Sequence, residues 1–180
     1  MKGLMIFTNG FEDVEGIATA DVLNRARIEL TKVGYDNKVI KTSNGHTVLF
    51  DEVLDNVDYR SYDFLIIPGG PAVFNILDKS TKISDIINDF VSEDKLVCTI
   101  CAAPLLVGKL GHFKNRNYTC FPGCEAKVIA GNKVDAPVVV DGNFISARSM
   151  YYSCDFSLEI VEKLKGKEFR TLIENQIKGR

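Results

Sequence analysis

The 180-residue chain predicts an α/β fold, a mainly parallel sheet with helices on both faces. Three observations predict it. Short apolar runs such as Leu4-Met5-Ile6-Phe7, Phe64-Leu65-Ile66-Ile67 and Leu96-Val97-Cys98-Thr99-Ile100 have the length and continuity of strands buried on both sides. Segments of helical apolar spacing alternate with these runs. Repeats, low-complexity tracts and interdomain linkers are absent, so residues 1–180 read as one domain, long enough to close a core without staples.

Taken in order, Lys2 to Thr8 is a short apolar strand stopped by Asn9-Gly10. The spacing of Val14, Ile17, Ala18, Val22, Ala26 and Leu30 predicts one helix from about Glu12 to Val33, ended by Gly34. Lys38 to Thr42 and Thr47 to Phe50 are strands around the turn signal Ser43-Asn44-Gly45. Asp63 to Ile67 is a buried strand running into Pro68-Gly69-Gly70-Pro71, followed by helical patterns through Leu77 and from Thr81 to Val91. The strand ending at Ile100 leads into the helix-like Leu105-Leu106-Val107. Val138 to Ala147 reads as a hairpin around Asp141-Gly142-Asn143. A helix from about Tyr151 to Leu164 and an amphipathic helix from Lys167 to Ile177 complete the chain.

Composition excludes several function classes. A formal net charge of −2 gives no electrostatic case for nucleic acid or an anionic membrane. The apolar run at the N-terminus is too short for a signal peptide, and no segment approaches the length of a membrane span, so a cytoplasmic protein is expected. The cysteines, Cys98, Cys101, Cys120, Cys124 and Cys154, are odd in number, which argues against a disulfide framework. Cys98-x-x-Cys101 does not read as a redox pair, because Cys98 lies within a strand, where residues three apart are separated by roughly 10 Å. Cys120 and Cys124 have zinc-like spacing, but two histidines in the whole chain leave a four-ligand set hard to assemble. No metal and no cofactor is expected.

Cys101 is the most informative residue. It sits where the Leu96–Ile100 strand meets Ala102-Ala103-Pro104, small residues that permit a tight strand-to-helix turn. A sulfur lifted out of the sheet there meets unpaired N–H groups, which favour thiolate over thiol. The plain alternative is a small buried core cysteine. In a parallel α/β sheet the functional crevice lies beyond the carboxyl ends of the strands. Asn9 to Glu15, Pro68-Gly69-Gly70 and Cys101-Ala102-Ala103 all fall at that edge.

These residues also carry a resemblance. Gly10 to Glu15 (GFEDVE), Ile66 to Gly70 (IIPGG), Thr99 to Pro104 (TICAAP), Thr119 to Gly123 (TCFPG) and Ser146 to Arg148 (SAR) resemble the DJ-1/ThiJ/PfpI superfamily in order and spacing, over about residues 2 to 165. The resemblance implies a flavodoxin-like sandwich, a homodimer, a reactive cysteine at Cys101 and an acidic partner at Glu15. It implies backbone oxyanion donors at Gly70 and Ala102, with Gly69, Cys120, Phe121, Arg148 and Tyr151 around the pocket. The implied activities are glyoxalase III-type or deglycase-type conversion of small reactive carbonyls, or cysteine-based sensing of oxidative stress, with a small aldehyde or peroxide as reaction partner. Two departures matter. The protease-like branch carries His directly after the nucleophile, where this chain has Ala102, so protease or amidase activity is not expected. Members with glyoxalase or deglycase activity usually carry His at the position of Phe121, so such activity is expected to be weak. Redox sensing or stress protection through oxidation of Cys101 is the leading expectation.

Two anions at hydrogen-bond distance are mutually costly, so Cys101 and Glu15 are expected to share one proton near neutral pH. The expected arrangement places the thiolate on Cys101, with a pKa lowered to about 5–6, and the proton on Glu15. Glu12 and Asp13 read as solvated carboxylates serving the helix dipole. Arg148 is expected to pair with Asp155 or an anionic group, and Cys120 is an untested candidate to resolve an oxidised Cys101.

Overall fold

The computed structural model describes residues 1–180. Seven strands form one sheet: β1 (Lys2–Phe7), β2 (Glu29–Gly34), β5 (Glu52–Val53), β6 (Phe64–Ile67), β7 (Leu96–Ile100), β10 (Val138–Asp141) and β11 (Phe144–Ala147). Their order is β10-β11-β7-β6-β1-β2-β5, and every pairing is parallel except the β10–β11 hairpin. The chain moves outward from β1 to β2 and then crosses back to β6, so the order reverses between β1 and β6. In open α/β sheets that reversal opens a crevice at the carboxyl ends of the strands.

The central strands are buried on both faces, as their unbroken apolar runs require. On one face, Leu4, Ile6, Leu65, Ile67 and Val97 pack against Ile83, Ile86 and Phe90 of α3 (Thr81–Ser92) and Leu105 and Leu106 of α4 (Pro104–Gly108). On the other, Met5, Phe7, Ile66, Cys98 and Ile100 pack against Val22 and Leu23 of α1 (Asp13–Arg25) and Phe156, Ile160 and Val161 of α5 (Ser153–Lys165). Each such fully buried side chain contributes about 1.5–3 kcal/mol, so both layers are needed to offset the ordering of the chain. Cys101 is half-buried and touches both clusters. Helix α6 (Lys167–Ile177) packs on α5, and α2 (Pro71–Asn75) follows β6.

The single helix expected from about Glu12 to Val33 is two elements. Helix α1 stops at Arg25, Arg27 takes a positive φ of 50°, and β2 begins at Glu29. Pairing along the whole of β1 outweighs the helical spacing: Lys2 to Phe7 align with Glu29 to Gly34. The spacing also misplaces the first turns of α1, although Val22 and Ala26 are buried as it expects. Val14 and Ile17 are 40% and 46% exposed, whereas Glu15, Gly16, Thr19, Val22 and Leu23 face inward. Gly16 must be inside because a Cβ there would lie 2.5 Å from the Phe11 ring and 2.8 Å from that of Phe7.

Two small sheets flank the main one. Strands β3 (Val39–Lys41) and β4 (Thr47–Leu49) form the hairpin expected around Ser43-Asn44-Gly45. Its turn is fastened to α1 by Asp13, which accepts from Ser43 Oγ at 3.1 Å and Asn44 Nδ2 at 2.9 Å, and has His46 Nδ1 2.7 Å away. Burial raises the Asp13 carboxyl, but bonds from Thr42, His46, Asn44 and Ser43 outweigh it and hold the group well below the usual carboxylate range. Asp13 is therefore a loop clamp and not the solvated helix-end charge its sequence position suggests. The other pair, β8 (Asn117–Tyr118) with β9 (Asn132–Lys133), has runs too short to signal strands in the sequence. No helix of the protein is long and apolar enough to cross a membrane.

Candidate functional site

Three chain segments meet at the reversal crevice. The loops after β1 and β6 are laced together, with Glu12 N–H donating to Gly69 O at 3.1 Å and Ala72 N–H donating to Gly10 O at 3.1 Å. Glu12 also caps α1, its Oε2 accepting from Glu15 N–H at 2.8 Å. That cap fixes the first turn of the helix and turns Glu15 inward, where it is fully buried.

The third segment carries Cys101. Its φ of 63° is left-handed, a conformation a non-glycine residue holds only when its surroundings impose it. Both sides of its backbone are tied: Cys101 N–H donates to Ala147 O at 2.9 Å, and Cys101 O accepts from Phe121 N–H at 2.8 Å. Those two bonds hold the residue between β11 and the Thr119–Phe121 segment. The sharp turn lifts the side chain out of β7 toward Glu15.

Gly69 makes the close approach possible. A Cβ at this position would sit 2.7 Å from Cys101 Cβ, 2.7 Å from Glu15 Oε2 and 2.9 Å from Ile100 O, so any side chain would push the pair apart. The Gly69 N–H donates to Glu15 Oε2 at 2.8 Å. Gly70 has a φ of 95°, and a Cβ there would collide with Glu12 N and Gly10 O at 2.6 Å each. The Gly70 and Ala102 N–H groups stand beside the Cys101 sulfur. Glu15 Oε1 is buried and has no hydrogen-bond partner.

Burial pushes the Glu15 carboxyl up to about 7, against bonds from Cys101 and Gly69 that pull it down, and the nearby Glu12 charge adds to the rise. Burial also pushes the Cys101 thiol up. The Glu15 charge and its bond to the thiol push it further, while the Gly70 and Ala102 donors pull it back. A thiol lowered to the 5–6 range is thus not what this geometry produces. Helix α4 is only five residues long, too short for an appreciable dipole, and the buried carboxylate faces the sulfur directly. Above about pH 7 the pair carries one negative charge and one proton. The arrangement places Glu15 where it could take the thiol proton, with the Gly70 and Ala102 N–H groups on the sulfur.

The remaining sequence-selected residues lie around this centre. The Phe121 side chain is 47% exposed and brings no acid or base, while its N–H anchors Cys101. Cys120 is buried and its Sγ lies 3.8 Å from Glu125 Oε2. Burial pushes the Cys120 thiol up to about 12. Arg148 pairs with Asp135 and not with Asp155, because the chain reverses at β9–β10 and brings Asp135 alongside the end of β11. Tyr151 is 82% exposed, edge-on to Tyr152 at 5.1 Å between centroids. No group of three or more His, Cys, Asp or Glu residues is arranged to hold a metal ion.

A doubly wound sheet with a cysteine on a strained strand-to-helix turn, a buried glutamate beside it and two convergent N–H donors defines a flavodoxin-like protein with a nucleophile elbow. The DJ-1/PfpI family profile matches residues 1–163, and the chain belongs to that family. Protein dj-1beta of Drosophila melanogaster is 33% identical over 170 residues, spanning 93% of this chain and 91% of that protein. Deglycase PH1704 of Pyrococcus horikoshii is 35% identical over 150 residues, spanning 82% and 90%. The crystal structure of Drosophila melanogaster DJ-1beta superposes with a TM-score of 0.90 at 31% identity, over 98% of each chain.

Proposed function

We propose that this protein is a stress-protective, redox-sensing member of its family whose output is oxidation of Cys101. The observation that carries the reading is the position of the sulfur, between the Glu15 carboxyl and the Gly70 and Ala102 N–H groups. With peroxide, the Cys101 thiol proton passes to Glu15 and the sulfur attacks one peroxide oxygen. The O–O bond breaks, and the departing hydroxide recovers the proton from Glu15 as water, leaving a sulfenic acid. A second peroxide gives the sulfinate and another water. Its oxygens then face protonated Glu15 and the two N–H groups, which favour this state.

A second reading is attack of Cys101 on a small reactive carbonyl, with Glu15 moving the protons. Support comes from the relative named as a deglycase. Phe121 supplies no proton-transfer group, which makes this activity the weaker one. A homodimer is part of the proposal, because Val14 and Ile17 on α1 and Leu49 on the hairpin leave apolar side chains exposed along one side. The cytoplasm is its proposed compartment.

One experiment tests both readings. Purified protein and Cys101→Ser are treated with graded hydrogen peroxide and, separately, with methylglyoxal. Intact mass, peptide mapping and substrate consumption are followed. Sulfinate confined to Cys101 at low peroxide excess, with slow carbonyl turnover, is expected. Oxidation that begins at Cys124 or Cys154 overturns the first reading, and carbonyl turnover equal in Cys101→Ser overturns the second.

A further inference from the structure

Helix α1 sends two polar residues, one turn apart, into the same buried layer: Glu15 and Thr19 are both 0% exposed. Residues four apart on a helix are neighbours, with Cβ atoms about 5–6 Å apart. Helical side chains lean toward the N-terminus, so that of Thr19 lies over the turn that carries Glu15. Each residue leaves a polar atom unspent. Glu15 Oε2 accepts from Gly69 N–H, but Oε1 has no partner, and neither has Thr19 Oγ1. Buried polar atoms are normally paired. Here one orphan is an acceptor and the other carries a proton to donate.

The surroundings remove competing partners. A helical threonine commonly spends its hydroxyl on the carbonyl one turn back, and Thr19 does not. On α5, which packs against α1, Ser153 Oγ donates to Met150 O at 2.7 Å and Ser157 Oγ donates to Ser153 O at 2.6 Å, so neither serine has a proton left for Glu15. The layer is otherwise apolar, with Val22 and Leu23 among Phe156 and Ile160. Valine would fill the place of Thr19 and leave nothing unpaired. The titratable groups that bear on Glu15 are Cys101, across the crevice, and Glu12, at its own helix cap.

We infer that Thr19 is a positioning residue for the reaction of Cys101: its hydroxyl donates to Glu15 Oε1, directly or through one buried water, and supports the carboxylate that takes the thiol proton. Gly69 then holds one carboxylate oxygen and Thr19 the other, which fixes the plane of the group against the sulfur. A donor at Oε1 favours the ionised form over the neutral one. This role rests on the proposed transfer of the Cys101 proton to Glu15, yet the ionisation of Glu15 can be followed on its own.

The test is carbon-13 NMR of the Glu15 carboxyl in the full chain, assigned by its loss in Glu15→Gln and titrated from about pH 5 to 9, where proteins keep their fold. Iodoacetamide labelling of Cys101 is followed over the same span. Thr19→Val and Thr19→Ala should move the Glu15 inflection upward by on the order of one pH unit, because the charged form loses a donor. The labelling profile should move with it, and the rate at neutrality should fall several-fold. Thr19→Ser, which keeps the hydroxyl, should titrate like the wild type. A purely structural threonine would alter urea stability and leave both inflections in place. Coincident inflections in the wild type, Thr19→Val and Thr19→Ala overturn the inference and leave the proton-transfer reading standing. A Thr19→Ser shift as large as that of Thr19→Val also overturns it, since shape and not the hydroxyl would then count. A Glu15 shift that leaves Cys101 labelling unmoved overturns both the role of Thr19 in the reaction and the proton transfer on which it rests.

Discussion

Glu15 is both the most costly residue of the site and the one that sets its pH response. Its ionisation near pH 7 creates the acceptor for the Cys101 proton, so alkylation of Cys101 should accelerate as pH rises through about 7. Iodoacetamide rates followed by peptide mapping across pH 5.5 to 9 (roughly the range in which proteins keep their fold) would measure it. In Glu15→Gln that inflection should vanish, and the thiol should ionise at lower pH than in the wild type, because the charge that pushes it up is gone. An unchanged profile would reduce Glu15 to a buried carboxyl with no part in the reaction. Gly69→Ala tests the spacing. The added methyl meets Cys101 Cβ and Glu15 Oε2 at 2.7 Å, and should cost about 1–3 kcal/mol by overpacking while abolishing fast alkylation. Chemical denaturation and the same labelling assay read both effects. Cys101 and the Gly69-Gly70 pair leave local marks in the sequence, a strand end and a glycine turn, whereas Glu15 is singled out only through the family resemblance. The direction of the Cys101 shift was not legible, since it depends on burial and on which charge faces the sulfur across the fold.

At the scale of elements, α1 is where sequence patterning and structure part. Helical spacing runs on through Leu30 without a break signal, yet β2 takes over at Glu29 because β1 offers six aligned partners. Nothing local to Ala26-Arg27-Ile28 announces that pairing, so a non-local contact decides the boundary. The outward apolar face of α1 was misread for the same reason: Val14 and Ile17 look like core until Phe7 and Phe11 are seen to occupy the inner side against Gly16. If a second copy covers that face, Ile17→Lys should convert a dimer to a monomer in sedimentation velocity while leaving far-UV circular dichroism intact. A monomeric wild type would remove the dimer from the proposal. Helix α3 offers a simpler check. Ser80 Oγ accepts from Ile83 N–H at 3.1 Å and lies 2.7 Å from Tyr35 OH, joining the helix cap to the end of β2. Ser80→Ala should lower unfolding stability by about 1–2 kcal/mol, measured by urea denaturation.

For the whole molecule, the two anomalous carboxylates of α1 pull stability in opposite directions. Asp13 is held below its unfolded value, so its contribution is present above about pH 4 and is lost as pH falls. Glu15 is raised from 4.5 to about 7, so the folded state binds its proton more tightly. Its contribution is full below about 4.5 and is lost as pH rises through 7, a loss on the order of 3 kcal/mol. Stability should therefore peak on the acid side of neutrality and decline toward pH 8. Glu15→Gln should flatten that decline and leave the acid limb, as thermal or urea unfolding from pH 4 to 8.5 (about the same span of stable folding) would record. A decline that persists unaltered in Glu15→Gln would assign it to other groups. The layered α/β architecture was legible at this scale because fully buried parallel strands need continuous apolar runs, and few other folds contain them.

Cys101 belongs to both apolar layers at once. The sheet otherwise keeps these layers apart, and the elbow is a point where they share a neighbour. Each oxygen added to the sulfur brings volume and charge to that seam. The oxidation state of one atom can therefore be broadcast to helices on opposite faces of the sheet without any hinge or lid. Hydrogen–deuterium exchange before and after sulfinate formation should register it as paired changes in α1 and α4, helices of the two layers that Cys101 touches.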